Sequence, residues 1–116
     1  MLIDLKVRLS DYPTFDGNHE KWYIVKEDFE ATMHAQHFQE LAELKHGDEA
    51  IHDYMRENSK LYRKKNEALY SILRKKCATG SALTFVKDHK STLDGGRVWM
   101  DLKPVSYTHL TLPTKA

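Results

Sequence analysis

The chain of 116 residues carries one cysteine, three prolines, five glycines and no long apolar run. A single cysteine excludes an intramolecular disulfide framework and any cysteine-rich zinc site. An excess of one charge is missing too, since 18 Lys+Arg stand against 17 Asp+Glu. That balance excludes the overall basicity of a dedicated nucleic-acid binder and the acidity of a solvating tail, so an electrostatic partner must be met by a local patch. No stretch approaches the roughly 18 apolar residues of a membrane span. The apolar start Met1, Leu2, Ile3 is broken at once by Asp4 and Lys6, too early for a signal-peptide core. No membrane partner and a cytoplasmic setting are therefore expected. The hydrophobic content of 41% lies below the roughly 45–50% of globular chains, which predicts one small domain with a thin core.

What is present is helical periodicity. Residues 1–11 alternate apolar and polar side chains (Leu5, Val7, Leu9 against Lys6, Arg8, Ser10), the period of a strand or extended arm, and Tyr12-Pro13 with Asp16-Gly17 marks a loop. Asn18 is a helix N-cap, followed by Trp22, Val25, Phe29 and Met33 on one face. A short helix carries Phe38, Leu41 and Leu44 as far as His46-Gly47. A longer helical pattern starts at Asp48 with Ile51, Tyr54 and Met55, is interrupted at Asn58-Ser59, and continues through Leu61, Ala68, Leu69, Ile72 and Leu73. Ser81 can cap a further helix bearing Ala82, Phe85, Val86 and His89; Leu93 to Gly96 reads as a turn, and Val98, Trp99 and Leu102 begin a last helix. The fold class is all-α, a small helical bundle with an extended N-terminal arm.

Few residues offer chemistry. His34, His37, His46, His52 and Cys77 match no zinc signature, and exposed helix histidines with a buried or idle thiol are the plainer reading, so no metal and no cofactor are expected. No nucleophile, base and orienter can be assembled, which points away from an enzyme. The one charged feature is the basic run along residues 60–76. A solvated or acid-paired helix face is its plain meaning; contact with RNA phosphates through Arg63, Lys64, Arg74, Lys75 and Lys76 is its functional one.

The string Thr14-Phe15-Asp16-Gly17-Asn18-His19-Glu20-Lys21-Trp22 and the helix after it resemble the opening of the Gag polyprotein of copia-type LTR retrotransposons. Ala68 to Leu73 looks like that family's apolar helix, and Trp99-Met100-Asp101-Leu102 like its Trp-x-x-Leu, so the resemblance spans residues 12–103. It implies an all-helical domain similar to retroviral capsid lobes, non-enzymatic, with itself as partner in virus-like particles that enclose RNA. Phe15, Gly17, Trp22, Leu69, Ile72, Trp99 and Leu102 are then signature and core positions rather than an active site. His19 stands where the family has Tyr, and no zinc knuckle is present, so packaging through a knuckle is no part of the expectation.

Beyond Lys103 the charge density falls and Thr and Pro dominate. Val105 to Thr114 resembles, residue for residue, the translation of a transposase mosaic-end sequencing adapter. The expectation is a natural domain cut at about Lys103, with residues 104–116 disordered.

Overall fold

The computed structural model describes residues 8–111, with the backbone alone at 19, 23 and 104–111. Among the described residues the chain is all-α and has no strand. Six helices follow two 3-10 turns at Leu9–Asp11 and His19–Lys21: α1 Trp22–Ala35, α2 Gln39–Ala42, α3 Glu49–Asn58, α4 Lys60–Lys76, α5 Gly80–Asp88 and α6 Gly95–Thr111. None of these is long and apolar enough to cross a membrane.

The start of α1 is built by two short side-chain bonds. Asp16 Oδ1 accepts the Asn18 N–H at 2.9 Å, and Asn18 Oδ1 accepts that of Glu20 at 2.9 Å, so Asn18 caps the 3-10 turn that leads into the helix. Trp22, Phe29 and Met33 face inward as their spacing predicts. The helix stops where His37 turns left-handed at φ 68°, and Phe38 N–H then reaches back to the Met33 carbonyl at 2.7 Å. Between α3 and α4 the break falls at Ser59, whose hydroxyl accepts the Tyr62 N–H at 3.1 Å.

The core is aromatic at one end. Phe15 meets Trp22 with ring centroids 4.8 Å apart, Trp22 meets Trp99 at 5.9 Å, and Trp99 stacks on Phe29 at 5.1 Å. Leu69, Ile72, Leu73, Met100 and Leu102 continue it between α4 and α6, the most closely packed pair of helices. Close approach there depends on Gly95, where a Cβ would strike the backbone of Asn66, Leu69 and Tyr70.

Four expectations are corrected. The N-terminal arm is not extended where it is described: Leu9–Asp11 forms a 3-10 turn held to α1, with the Thr32 hydroxyl donating to the Asp11 carbonyl at 3.2 Å and Gln36 Nε2 donating to Asp11 Oδ2 at 3.2 Å. Residues 1–7 lie outside the described residues. Gly95-Gly96 is the first turn of α6 rather than a loop, because the preceding Asp94 caps the helix. The backbone from Pro104 onward, expected to be disordered, continues α6 as far as Thr111, with Pro104 contributing no N–H to the helix ladder; residues 112–116 lie outside the described residues. Finally, α3 buries His52 and leaves Ile51 and Tyr54 exposed, which reverses the apolar face expected of it.

Candidate functional site

The basic run is a one-sided ridge. At 100° per residue, Lys60, Arg63, Lys64, Arg74 and Lys75 fall within about a third of the circumference of α4, and all five are exposed. Arg63 and Arg74 are three turns apart on one line, roughly 16 Å, as are Lys64 and Lys75. Glu67 is the acid on this stripe, and Arg63 Nε donates to the Arg56 carbonyl at 3.0 Å. Lys76 leaves the ridge: it is half-buried on the flank of the helix. Lys65 also turns away, to Glu40 at 2.8 Å. Tyr62 and Tyr70 are buried, so neither offers the exposed ring on which a base of single-stranded RNA would stack.

A second constellation escapes the sequence reading. His52 and Asp94 are fully buried, and Nε2 of the imidazole donates to Asp94 Oδ1 at 2.7 Å while Nδ1 pairs with the Tyr62 hydroxyl at 2.7 Å. Asp94 Oδ1 also accepts the Arg97 N–H at 3.1 Å, and its Oδ2 lies 3.0 Å from Arg56 Nη1. Arg97 Nη2 in turn donates to Asp53 Oδ2 at 2.8 Å, and Asn66 Oδ1 accepts the Gly96 N–H at 2.7 Å. One polar network therefore ties α3, α4 and α6 together.

Electrostatics decide what this network can do. Burial alone would raise the Asp94 pKa, but the His52 hydrogen bond, the Arg97 N–H and the Arg56 guanidinium outweigh it and hold the carboxyl below its ordinary value. Tyr62 goes the other way: burial, aided by the Asp94 charge, pushes its phenol well above the usual range. An acid–imidazole–hydroxyl chain is the arrangement of an activated nucleophile. Here the hydroxyl is a desolvated phenol held in its protonated form, so the chain works as a lock between helices. His52, Asp53 and Asp94 also bring three ligating atoms within 4.8 Å of one another. Both carboxylates are already neutralised by Arg56 and Arg97, an arrangement that suits ion pairing better than a cation.

The remaining candidate ligands are scattered. His34 and His37 are exposed, and His46 bridges Glu49 at 3.0 Å and Asp101 at 3.4 Å. Cys77 is buried, and burial pushes its thiol up to about 12. Phe15, Trp22, Leu69, Ile72, Trp99 and Leu102 are all core residues. Gly17, at φ 97°, lies where a Cβ would strike the Ser81 hydroxyl. A signal for part of the network was present: Asp94 before Gly95-Gly96-Arg97 is an N-cap followed by a helix start. The partner of His52, by contrast, lies 42 residues away and has no local signature.

Searched against models of protein families, against curated proteins and against solved structures, the chain finds no match in any of the three.

Proposed function

We propose that this chain is a non-enzymatic, Gag-like helical capsid domain that acts by self-association, within particles that enclose RNA in the cytoplasm. The carrying observation is the reversed polarity of α3. This helix turns His52 inward and presents Ile51 and Tyr54, 55% and 59% exposed, on its outer side. Holding two large apolar side chains in water while a histidine occupies the interior costs an isolated chain stability, and contact with another surface removes that cost. The buried, ion-paired state of the His52 network supports a scaffold over a catalyst, and the Gag resemblance of residues 12–103 supplies the kind of assembly.

Sedimentation equilibrium over a range of concentrations tests this reading. The chain is expected to self-associate, and Ile51→Ser with Tyr54→Ser to return it to monomer without lowering its melting temperature. A wild-type chain that stays monomeric at millimolar concentration refutes the proposal.

RNA binding by the ridge is the second reading, favoured by the gathering of Arg63, Lys64, Arg74 and Lys75 on one exposed face. Their replacement by Gln should flatten the salt dependence of RNA affinity by roughly 0.7 in log-log slope for each phosphate no longer neutralised. An unchanged slope removes this reading and leaves the self-association proposal untouched.

A further inference from the structure

Lys21, Lys75 and Lys76 come from opposite halves of the chain and line one cleft of about 370 Å³, at the junction of the residue 14–17 loop with the end of α4 and the start of α5. Among the described residues none of the three makes an ion pair, and the acid lining the cleft is Asp16, one of whose oxygens already holds the Asn18 N–H. Three ammonium groups against one carboxylate leave a net charge near +2 in a concave space. A concave lining of that charge favours an anion over a neutral ligand.

The rest of the cleft suits the same ligand. Thr14 and Thr79 contribute hydroxyl groups, and the Thr79 side chain makes no capping bond to α5, so its hydroxyl is free to donate. The walls are held in place. Phe15 N–H donates to the Lys76 carbonyl at 2.8 Å, and two left-handed glycines interlock: a Cβ on Gly80 would strike the Asp16 carbonyl, and one on Gly17 the Ser81 hydroxyl. A fixed loop whose cleft is lined by three lysines and two threonines suits a tetrahedral dianion with several acceptor oxygens. A carboxylate, with one charge and two oxygens, would leave donors unused.

We infer that this cleft is a binding site for a terminal phosphate, the end group of a phosphorylated small molecule or of a 5′-phosphorylated RNA strand. It meets the α4 ridge at Lys75 but extends beyond it, because Lys21 and Lys76 lie off that face, and it does not depend on self-association.

Pyrophosphate titrated into the full chain, followed by amide NMR shifts and calorimetry, tests the site. Saturable shifts are expected at Thr14 to Gly17 and at Lys75 to Gly80. Lys21→Gln and Lys76→Gln should each weaken binding by about tenfold, the loss of one charge-assisted hydrogen bond, whereas Arg63→Gln and Lys64→Gln should leave it unchanged. A second arm compares 5′-phosphorylated with 5′-hydroxyl oligoribonucleotide. Preference for the phosphorylated strand, abolished by Lys21→Gln, assigns the phosphate to an RNA end. Equal affinity of the two strands, with pyrophosphate still bound, assigns it to a small molecule. Absence of saturable shifts at millimolar pyrophosphate, or affinity indifferent to Lys21 and Lys76, overturns the inference.

Discussion

Replacing Asp94 by Ala removes, in one step, the acceptor for His52 Nε2 at 2.7 Å, for the Arg97 N–H at 3.1 Å and for Arg56 Nη1 at 3.0 Å. The imidazole would be left fully buried and unpaired on one side, which is the costly half of breaking a buried pair, at roughly 3–5 kcal/mol. Losing the helix cap contributes about 1 kcal/mol, not additively, because the same oxygen serves both partners. An expected loss of about 4 kcal/mol is most of the stability of a marginal domain and lowers the melting temperature by roughly 15–30 °C at this chain length. Urea and thermal unfolding followed by circular dichroism at 222 nm measure it. Asp94→Asn, which keeps an acceptor and a competent cap but no charge, should lose less. A double-mutant cycle with His52→Ala should return a coupling above about 1 kcal/mol. If Asp94→Ala costs less than about 1.5 kcal/mol, or the cycle shows no coupling, the network is not what joins these helices.

Acid should act through the same group. Because the folded-state pKa of Asp94 is lowered, its contribution is fully present above the unfolded value near 3.9 and is lost as pH falls through the folded one; Glu49, lowered to about 2 by the His46 hydrogen bond, behaves alike below its ordinary 4.5. Stability measured from pH 6 to 2 should therefore decline, and a flat profile contradicts both assignments. Trp22→Ala, at a buried ring between Phe15 and Trp99, should cost about 3–5 kcal/mol, and a variant with unchanged stability refutes its place in the core. The Cys77 thiol, buried and raised to about 12, should resist a thiol-specific reagent at pH 8 in the native chain and react on unfolding; rapid native labelling would contradict its burial.

The elements whose inward face is apolar were legible in the sequence. The stripe Trp22, Phe29, Met33 announces α1, the Asn58-Ser59 break separates α3 from α4, and Leu69, Ile72 and Leu73 mark the buried side of α4. In each case local hydrophobic period and burial agree. They disagree in α3, where the buried position is a histidine whose place depends on Asp94 of a distant segment; hydrogen bonding overrides hydropathy there, and no periodicity reports it. Lys21 and Lys76 were equally illegible as neighbours, because a loop folded back by two glycines brings them together. The ridge cations, all on one helix, were visible in the sequence as a run, but their confinement to one face appears only once the helix bounds are known.

The carbonyl of Ala42 accepts two donors from α6, Trp99 Nε1 at 3.0 Å and Lys103 Nζ at 2.8 Å, and Lys103 also takes the Leu44 carbonyl at 2.6 Å. A helix of four residues such as α2 has no independent existence in water. It persists because it packs against α1 and α6, and its last turn is finished by side chains of α6. The end of α2 is therefore expected to open together with α6 despite the 52 residues between the end of the first and the start of the second. A chain deprived of α6 would not be this bundle minus one helix: the stretch from Ala42 to Leu44 would loosen with it, and amides far apart in the sequence would exchange with solvent in the same event.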